Sequence, residues 1–131
     1  MKYLLDTNVL LQSLSSGNKL NHRAAVLLAD NSSELYLSAV SSWEIILKTV
    51  TGKLLLPESP AEFLTRSIRI LSLRLLAITH LHAFAVAELP DHHRDPFDRM
   101  LIAQARTEGM VLLTIDRTLG SYKVDQIYCG R

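Results

Sequence analysis

Only one cysteine, Cys129, occurs in the 131 residues, which excludes an internal disulfide and a cysteine-built zinc site. It reads as a buried or near-terminal thiol of a reducing cytoplasm. No apolar run is long enough to cross a membrane, and Asp6 arrives too soon after Met1 for a secretory apolar region. Acidic and basic tails, linkers, repeats and low-complexity segments are all missing. So are the Gly-x-Gly-x-x-Gly and Walker loops that cradle phosphates, and the Gly-x-Ser-x-Gly elbow of a serine triad. Charge of one sign is lacking too: the net charge is +1, which alone says nothing about nucleic acid. What is present is 48% hydrophobic and 21% charged residues, enough for one compact domain over residues 1–131 with a proper core.

The chain alternates strand and helix signals. Lys2 to Leu5 reads as a buried strand with Asp6 at its carboxyl end. Thr7 or Asn8 can cap a helix from Val9 to about Leu14, broken by Ser15-Ser16-Gly17-Asn18. A helix from His22 to Ala29 precedes a strand at Leu35-Tyr36-Leu37. Ser38 or Ser41 can cap the next helix, which runs to about Val50 on an apolar stripe of Val40, Trp43 and Leu47. After a proline-bearing loop come a helix from Ala61 to Ile70 and a strand around Leu73 to Ile78. Thr79 caps a helix through Leu81, Phe84, Ala85 and Leu89, with His80 and His82 in its first turn as ordinary polar or packing histidines. Asp91-His92-His93-Arg94 forms a polar loop. Pro96 then opens a helix that ends at Glu108-Gly109, with glycine in the usual position after a helix. Met110 to Ile115 is a continuous apolar strand ending at Asp116, and Asp125 to Cys129 supplies a weak last strand. This alternation predicts an α/β fold: a parallel central sheet of about five strands with helices on both faces.

In such sheets the ligand crevice lies outside the carboxyl ends of the strands. Asp6 and Asp116 end two strands there, and Glu44 sits near the start of the helix that leaves the second. Glu44 shares the stripe of Val40, although pairing with Lys48 one turn on explains it equally well. Asp98 lies one turn before Leu101 and Ile102 on the core-facing side of its helix. Asp95, before Pro96, is the expected N-cap, and an acid at either position also suits the helix dipole. Asp6, Glu44 and Asp116 can converge at one edge, while Asp98 needs the fold to bring it in.

Carboxylates gathered at one place repel by roughly 4 kcal/mol per pair at about 4 Å and an effective dielectric near 20, so they share protons or hold cations. Oxygen-only ligands suit hard ions such as Mg2+ or Mn2+, which can activate water and clamp a phosphodiester. With the four acids set aside, the remaining charge rises to roughly +5, a surface able to serve a polyanion. Arg94, Arg99 and Arg117 adjoin the acids in sequence and are the expected phosphate contacts.

Leu4-Leu5-Asp6-Thr7-Asn8-Val9-Leu10, Ser41-Ser42-Trp43-Glu44-Ile45, Asp95-Pro96-Phe97-Asp98-Arg99-Met100-Leu101-Ile102-Ala103-Gln104-Ala105 and Leu113-Thr114-Ile115-Asp116 resemble the acidic signature blocks of PIN domains. The resemblance spans essentially the whole chain and is nearest to VapC-type toxins of bacterial toxin–antitoxin pairs. It implies a metal-dependent endoribonuclease with a five-stranded parallel sheet, often a homodimer and held inactive by an antitoxin. The family's core acids map onto Asp6, Glu44, Asp98 and Asp116. Asp95 matches an extra acid of a subset, so ligand and cap both stay open for it. Thr114 and the Asp6-Thr7-Asn8 turn would shape the pocket. A receiver-type phosphotransfer domain would want an adjacent acidic pair, a mid-chain acceptor Asp and a late lysine, and no such set is found. A haloacid-dehalogenase-like phosphatase would want Asp-x-Asp, where Asp6-Thr7-Asn8 stands. A catalytically silent PIN-like binding module remains the other reading, separable by an RNA-cleavage assay. The sequence does not name the RNA.

Overall fold

A computed structural model describes residues 1–92 and 94–131. Five parallel strands, β1 (Lys2–Leu5), β2 (Glu34–Ser38), β3 (Arg74–Leu76), β4 (Val111–Thr114) and β5 (Gln126–Tyr128), lie in the order β3-β2-β1-β4-β5. Six helices connect them: α1 (Thr7–Ser13), α2 (His22–Ala29), α3 (Ala39–Val50), α4 (Pro60–Ile70), α5 (His80–Ala87) and α6 (Pro96–Glu108). A short 3-10 helix, Arg117–Ser121, follows β4.

The first strand is central because it is apolar on both faces. Tyr3 and Leu5 face a core made with Val9, Leu10, Ala24, Phe63 and Leu64, on the side of α1, α2 and α4. Leu4 faces the opposite core, with Leu101, Ile102, Ala105 and Leu112, on the side of α6. Each fully buried leucine of this kind contributes about 1.5–3 kcal/mol, which is what holds a four-residue strand in the middle of the sheet. The sheet grows from β1 in both directions: β2 and β3 on one side, β4 and β5 on the other. The direction of growth reverses between β1 and β4. That is the switch point where open α/β sheets leave a crevice.

Three expectations change in detail. Asp6, rather than Thr7 or Asn8, caps α1: its backbone is extended and its Oδ1 accepts from Val9 N–H at 2.7 Å. The inward face of α3 carries Val40, Ser41, Glu44 and Ile45, while Trp43 is 56% exposed and Leu47 also lies outside. Ser41 is drawn inward because Thr7 lies opposite with a hydroxyl to meet it. On α5 the apolar stripe of Leu81 and Phe84 faces outward, Phe84 at 65% exposure, and His82 takes the buried side. The α5 helix also stops at Ala87, short of Leu89. No helix among the described residues is long and apolar enough to cross a membrane.

Candidate active site at the switch point

Asp6 leaves β1 at the carboxyl edge, and its backbone N–H still donates to Leu113 O of β4 at 2.9 Å. This tie fixes the residue between the two strands. Its Oδ1 closes the first turn of α1, and its Oδ2 accepts the Thr114 hydroxyl at 2.6 Å. Thr114 in turn accepts the backbone N–H of Asp116 at 3.0 Å. One threonine thus links the two acids at the ends of β1 and β4. Burial pushes the Asp6 carboxyl above its ordinary range, and the Asp116 charge pushes the same way, against the hydrogen bonds from Thr114, Val9 and Ile115. Asp116 itself caps the 3-10 helix through Thr118 N–H at 2.9 Å.

Glu44 comes in from α3 and is buried. Thr7, next to Asp6, donates its hydroxyl to Glu44 Oε1 at 2.6 Å, and Lys48 Nζ meets Oε2 at 2.7 Å. Both readings of Glu44 are therefore true of the same side chain: it faces the Asp6 turn and it pairs with Lys48. Asp98 is half-buried in the first turn of α6. The neighbouring residues Phe97 and Trp43 meet edge to face at 5.2 Å, which brings the start of α6 beside the turn of α3 that carries Glu44. Asp95 caps α6, its Oδ1 accepting from Phe97 N–H at 2.9 Å and Asp98 N–H at 3.4 Å.

The family comparison decides among the functional classes that use strand-end acids. The model of the PIN domain family matches residues 3–124. The chain belongs to the PIN domain family. A comparison with curated protein sequences gives no match. Among solved structures, this PIN domain is similar to a chain of VapBC2 from Rickettsia felis, bound to a DNA fragment from its promoter. The TM-score is 0.73 and the identity 16%, over 98% of this chain and 99% of that one. DNA-bound VapBC from Salmonella typhimurium matches with TM-score 0.70 and 20% identity, over 98% of each chain. FitAcB from Neisseria gonorrhoeae matches with TM-score 0.67 and 21% identity, over 95% of this chain and 96% of that one.

In this PIN domain the donor chemistry of Asp6 and Asp116 fits a hard cation. Both are carboxylates held in place by neighbouring hydroxyl or amide donors, and one of them is desolvated beside the charge of the other. Among the described residues, however, no three of His, Cys, Asp and Glu stand together as a ready-made cage. Glu44 reaches the Asp6 turn from α3 through Thr7, and Asp98 stands in the first turn of α6, whose Phe97 packs on Trp43 of α3.

The candidate substrate contacts divide. Asn8 is exposed on the first turn of α1, two residues from Asp6. Arg94 lines an open pocket of about 460 Å³ with His92, Thr118 and Asp116. Arg117 is exposed and its guanidinium lies over the Tyr128 ring at 4.0 Å. Arg99, expected against phosphate, is directed elsewhere. It donates to the carbonyls of Pro90 at 2.9 Å and Val86 at 3.2 Å, and to Tyr122 Oη at 3.3 Å. It ties the end of α5 to α6, where the carbonyls left open at a helix terminus need donors. His93 lies outside the described residues.

Sequence reasoning passed over Thr7 as the partner of Glu44 and Tyr128 as a neighbour of the acids. Thr7 follows directly from its place beside Asp6. Tyr128 is found only through register, since Thr114 pairs with Tyr128 across β4 and β5.

Proposed function

We propose that this PIN domain is a metal-dependent endoribonuclease, the toxin of a toxin–antitoxin pair, acting on RNA in the cytoplasm as a single domain spanning residues 1–131. The observation that carries this reading is the buried Asp6 carboxylate joined to Asp116 through Thr114 at the switch point of the sheet. Asp6 and Asp116, with Glu44 and Asp98, would hold Mg2+ or Mn2+. Bound there, such an ion supplies an activated water and charge stabilisation for a leaving oxygen.

The chain's own residues prepare that site. The Thr114 hydroxyl fixes the Asp6 carboxylate, and Thr7 fixes Glu44 while Lys48 offsets its charge. Asp95 caps α6 and orders the turn that presents Asp98. Arg94, Arg117 and Asn8 are the groups that meet the substrate. The similar structures from Rickettsia felis and Salmonella typhimurium are toxin–antitoxin VapBC assemblies, and by analogy a cognate antitoxin protein would hold this chain inactive. Exposed apolar side chains on α3 (Trp43, Ile46, Val50) and α5 (Leu81, Phe84) support docking to that partner and to a second copy in a homodimer.

Purified protein, freed of any partner, should cut single-stranded RNA with Mg2+ or Mn2+ and stop in excess chelator. Full activity in chelator overturns the metal-dependent reading. No cleavage with any divalent ion, from a folded protein that still binds RNA, replaces it with a PIN-like binding module.

A further inference from the structure

Beside the acids lies a second, open pocket of about 260 Å³, lined by Thr114, Asp116, Arg117, Gly120, Gln126 and Tyr128. Its shape follows from register. Residues paired across a parallel ladder point to the same face of the sheet, so the Thr114–Tyr128 pairing sets the Tyr128 ring next to the threonine that holds Asp6. The backbone that carries the ring is held by a side chain from α2's cap. Asn21 Nδ2 donates to the carbonyls of Tyr128 at 3.1 Å and Gly130 at 3.0 Å. Gly130 is the residue that lets the ring fold back over the chain, because a Cβ there would stand 2.3 Å from Tyr128 Oη. Over the ring, 4.0 Å from its centre, lies the Arg117 guanidinium, one residue past Asp116.

This stack can take two kinds of group: an anion at the guanidinium edge or a flat ring on its face. The walls decide. Asp116 is part of the lining and, without a metal, repels an anion lodged in this pocket, and Arg117 is the only cation among the lining residues. Gln126 is neutral, with its amide nitrogen already donating to Leu119 O at 3.0 Å. We infer that the Arg117–Tyr128 stack is a nucleobase subsite, holding by its flat face the base of a nucleotide next to the phosphodiester at the acids. The inference rests on the ribonuclease reading above and names where that substrate's base sits. Guanidinium and aromatic faces both stack on unpaired bases and tolerate any base identity, so the site selects single-stranded over paired RNA.

The test is binding of a short dye-labelled single-stranded RNA and of its abasic counterpart, in excess chelator so that nothing is cut. The unaltered protein should hold the base-bearing RNA about tenfold more tightly than the abasic strand. Tyr128→Leu and Arg117→Lys should abolish that difference, while Tyr128→Phe keeps it. Thermal unfolding reports whether Tyr128→Leu folds; if it does not, Arg117→Lys, at an exposed position with its charge retained, decides alone. Equal binding of both strands by the unaltered protein overturns the subsite, as does a difference that survives either substitution. Cleavage of the same RNA with Mg2+ separates the two readings. Cutting without base-dependent binding removes the subsite alone, and base-dependent binding without cutting removes the nuclease alone.

Discussion

Asp6 and His82 are both almost wholly removed from solvent, yet their surroundings treat them in opposite ways. His82 Nδ1 accepts from Thr79 N–H at 3.0 Å, which leaves the proton on Nε2, and that nitrogen donates to Glu108 at 2.8 Å. Gln104 packs against the ring at 3.3 Å and accepts the Ser38 hydroxyl at 2.5 Å, and Ser38 caps α3. The chain of partners is closed, and it stitches α5, α6 and α3 together. Asp6 is also hydrogen-bonded, but it is an acid in a desolvated place that raises its pKa, with the Asp116 charge acting in the same direction. A buried polar group with every lone pair met is structure; a buried carboxyl pressed by a second acid is held ready for a cation.

The hardest strike at this contrast is Asp6→Asn. Cleavage should fall by orders of magnitude, because the neutral amide lacks the charge that holds a divalent ion tightly. Stability should move the other way. A carboxyl raised above its unfolded value of 3.8 lends stability that is fully present below that pH and is lost as pH rises through the folded value. Metal-free protein should therefore melt at higher temperature as pH falls from 7 toward 4, and Asp6→Asn should remove that dependence. Millimolar Mg2+ should raise the melting temperature of the unaltered protein and leave Asp6→Asn unmoved. A shift of equal size in both would break the contrast.

Asp98→Asn extends the test along α6. Activity should again fall by orders of magnitude with stability held or raised, whereas Asp95→Asn keeps the cap and cuts normally. A dead Asp95→Asn beside an active Asp98→Asn would move the ligand one turn toward the N-terminus. His82→Ala probes the other side: it orphans partners on Thr79, Gln104 and Glu108 and should cost about 3 kcal/mol in chemical unfolding. Its cleavage per folded molecule should be unchanged, and a selective loss of activity would mean the two clusters are coupled. Smallest, Asp95→Ala should cost about 1 kcal/mol with the site intact.

Where these acids stand was legible because chain chemistry marks them: an apolar strand that halts at Asp6 or Asp116, and a proline that places Asp95 on the cap. The parallel sheet and its helices on both faces follow from the same apolar runs, whereas the strand order does not. What the sequence hid was decided across the sheet or between helices. Trp43 and Phe84 read as core by helical spacing, but their stripes lose the interior to Ser41 and His82, whose partners Thr7 and Gln104 are distant in sequence. Arg99 stands beside Asp98 in sequence as a phosphate contact would, but carbonyls at the end of α5 and at Pro90 take its donors. Spacing along one element cannot report what stands opposite.

The Thr114 hydroxyl that holds Asp6 is separated from it by 108 residues, and β1 gains its β4 neighbour only across the same stretch of chain. Contacts of such long range form late in folding. While the chain is still being translated, Asp6 has emerged but Thr114 and Asp116 have not, so the acidic site does not exist on a half-made molecule. The proposed ribonuclease is thus harmless to the message and the ribosome that are making it until Thr114 and Asp116 have been made.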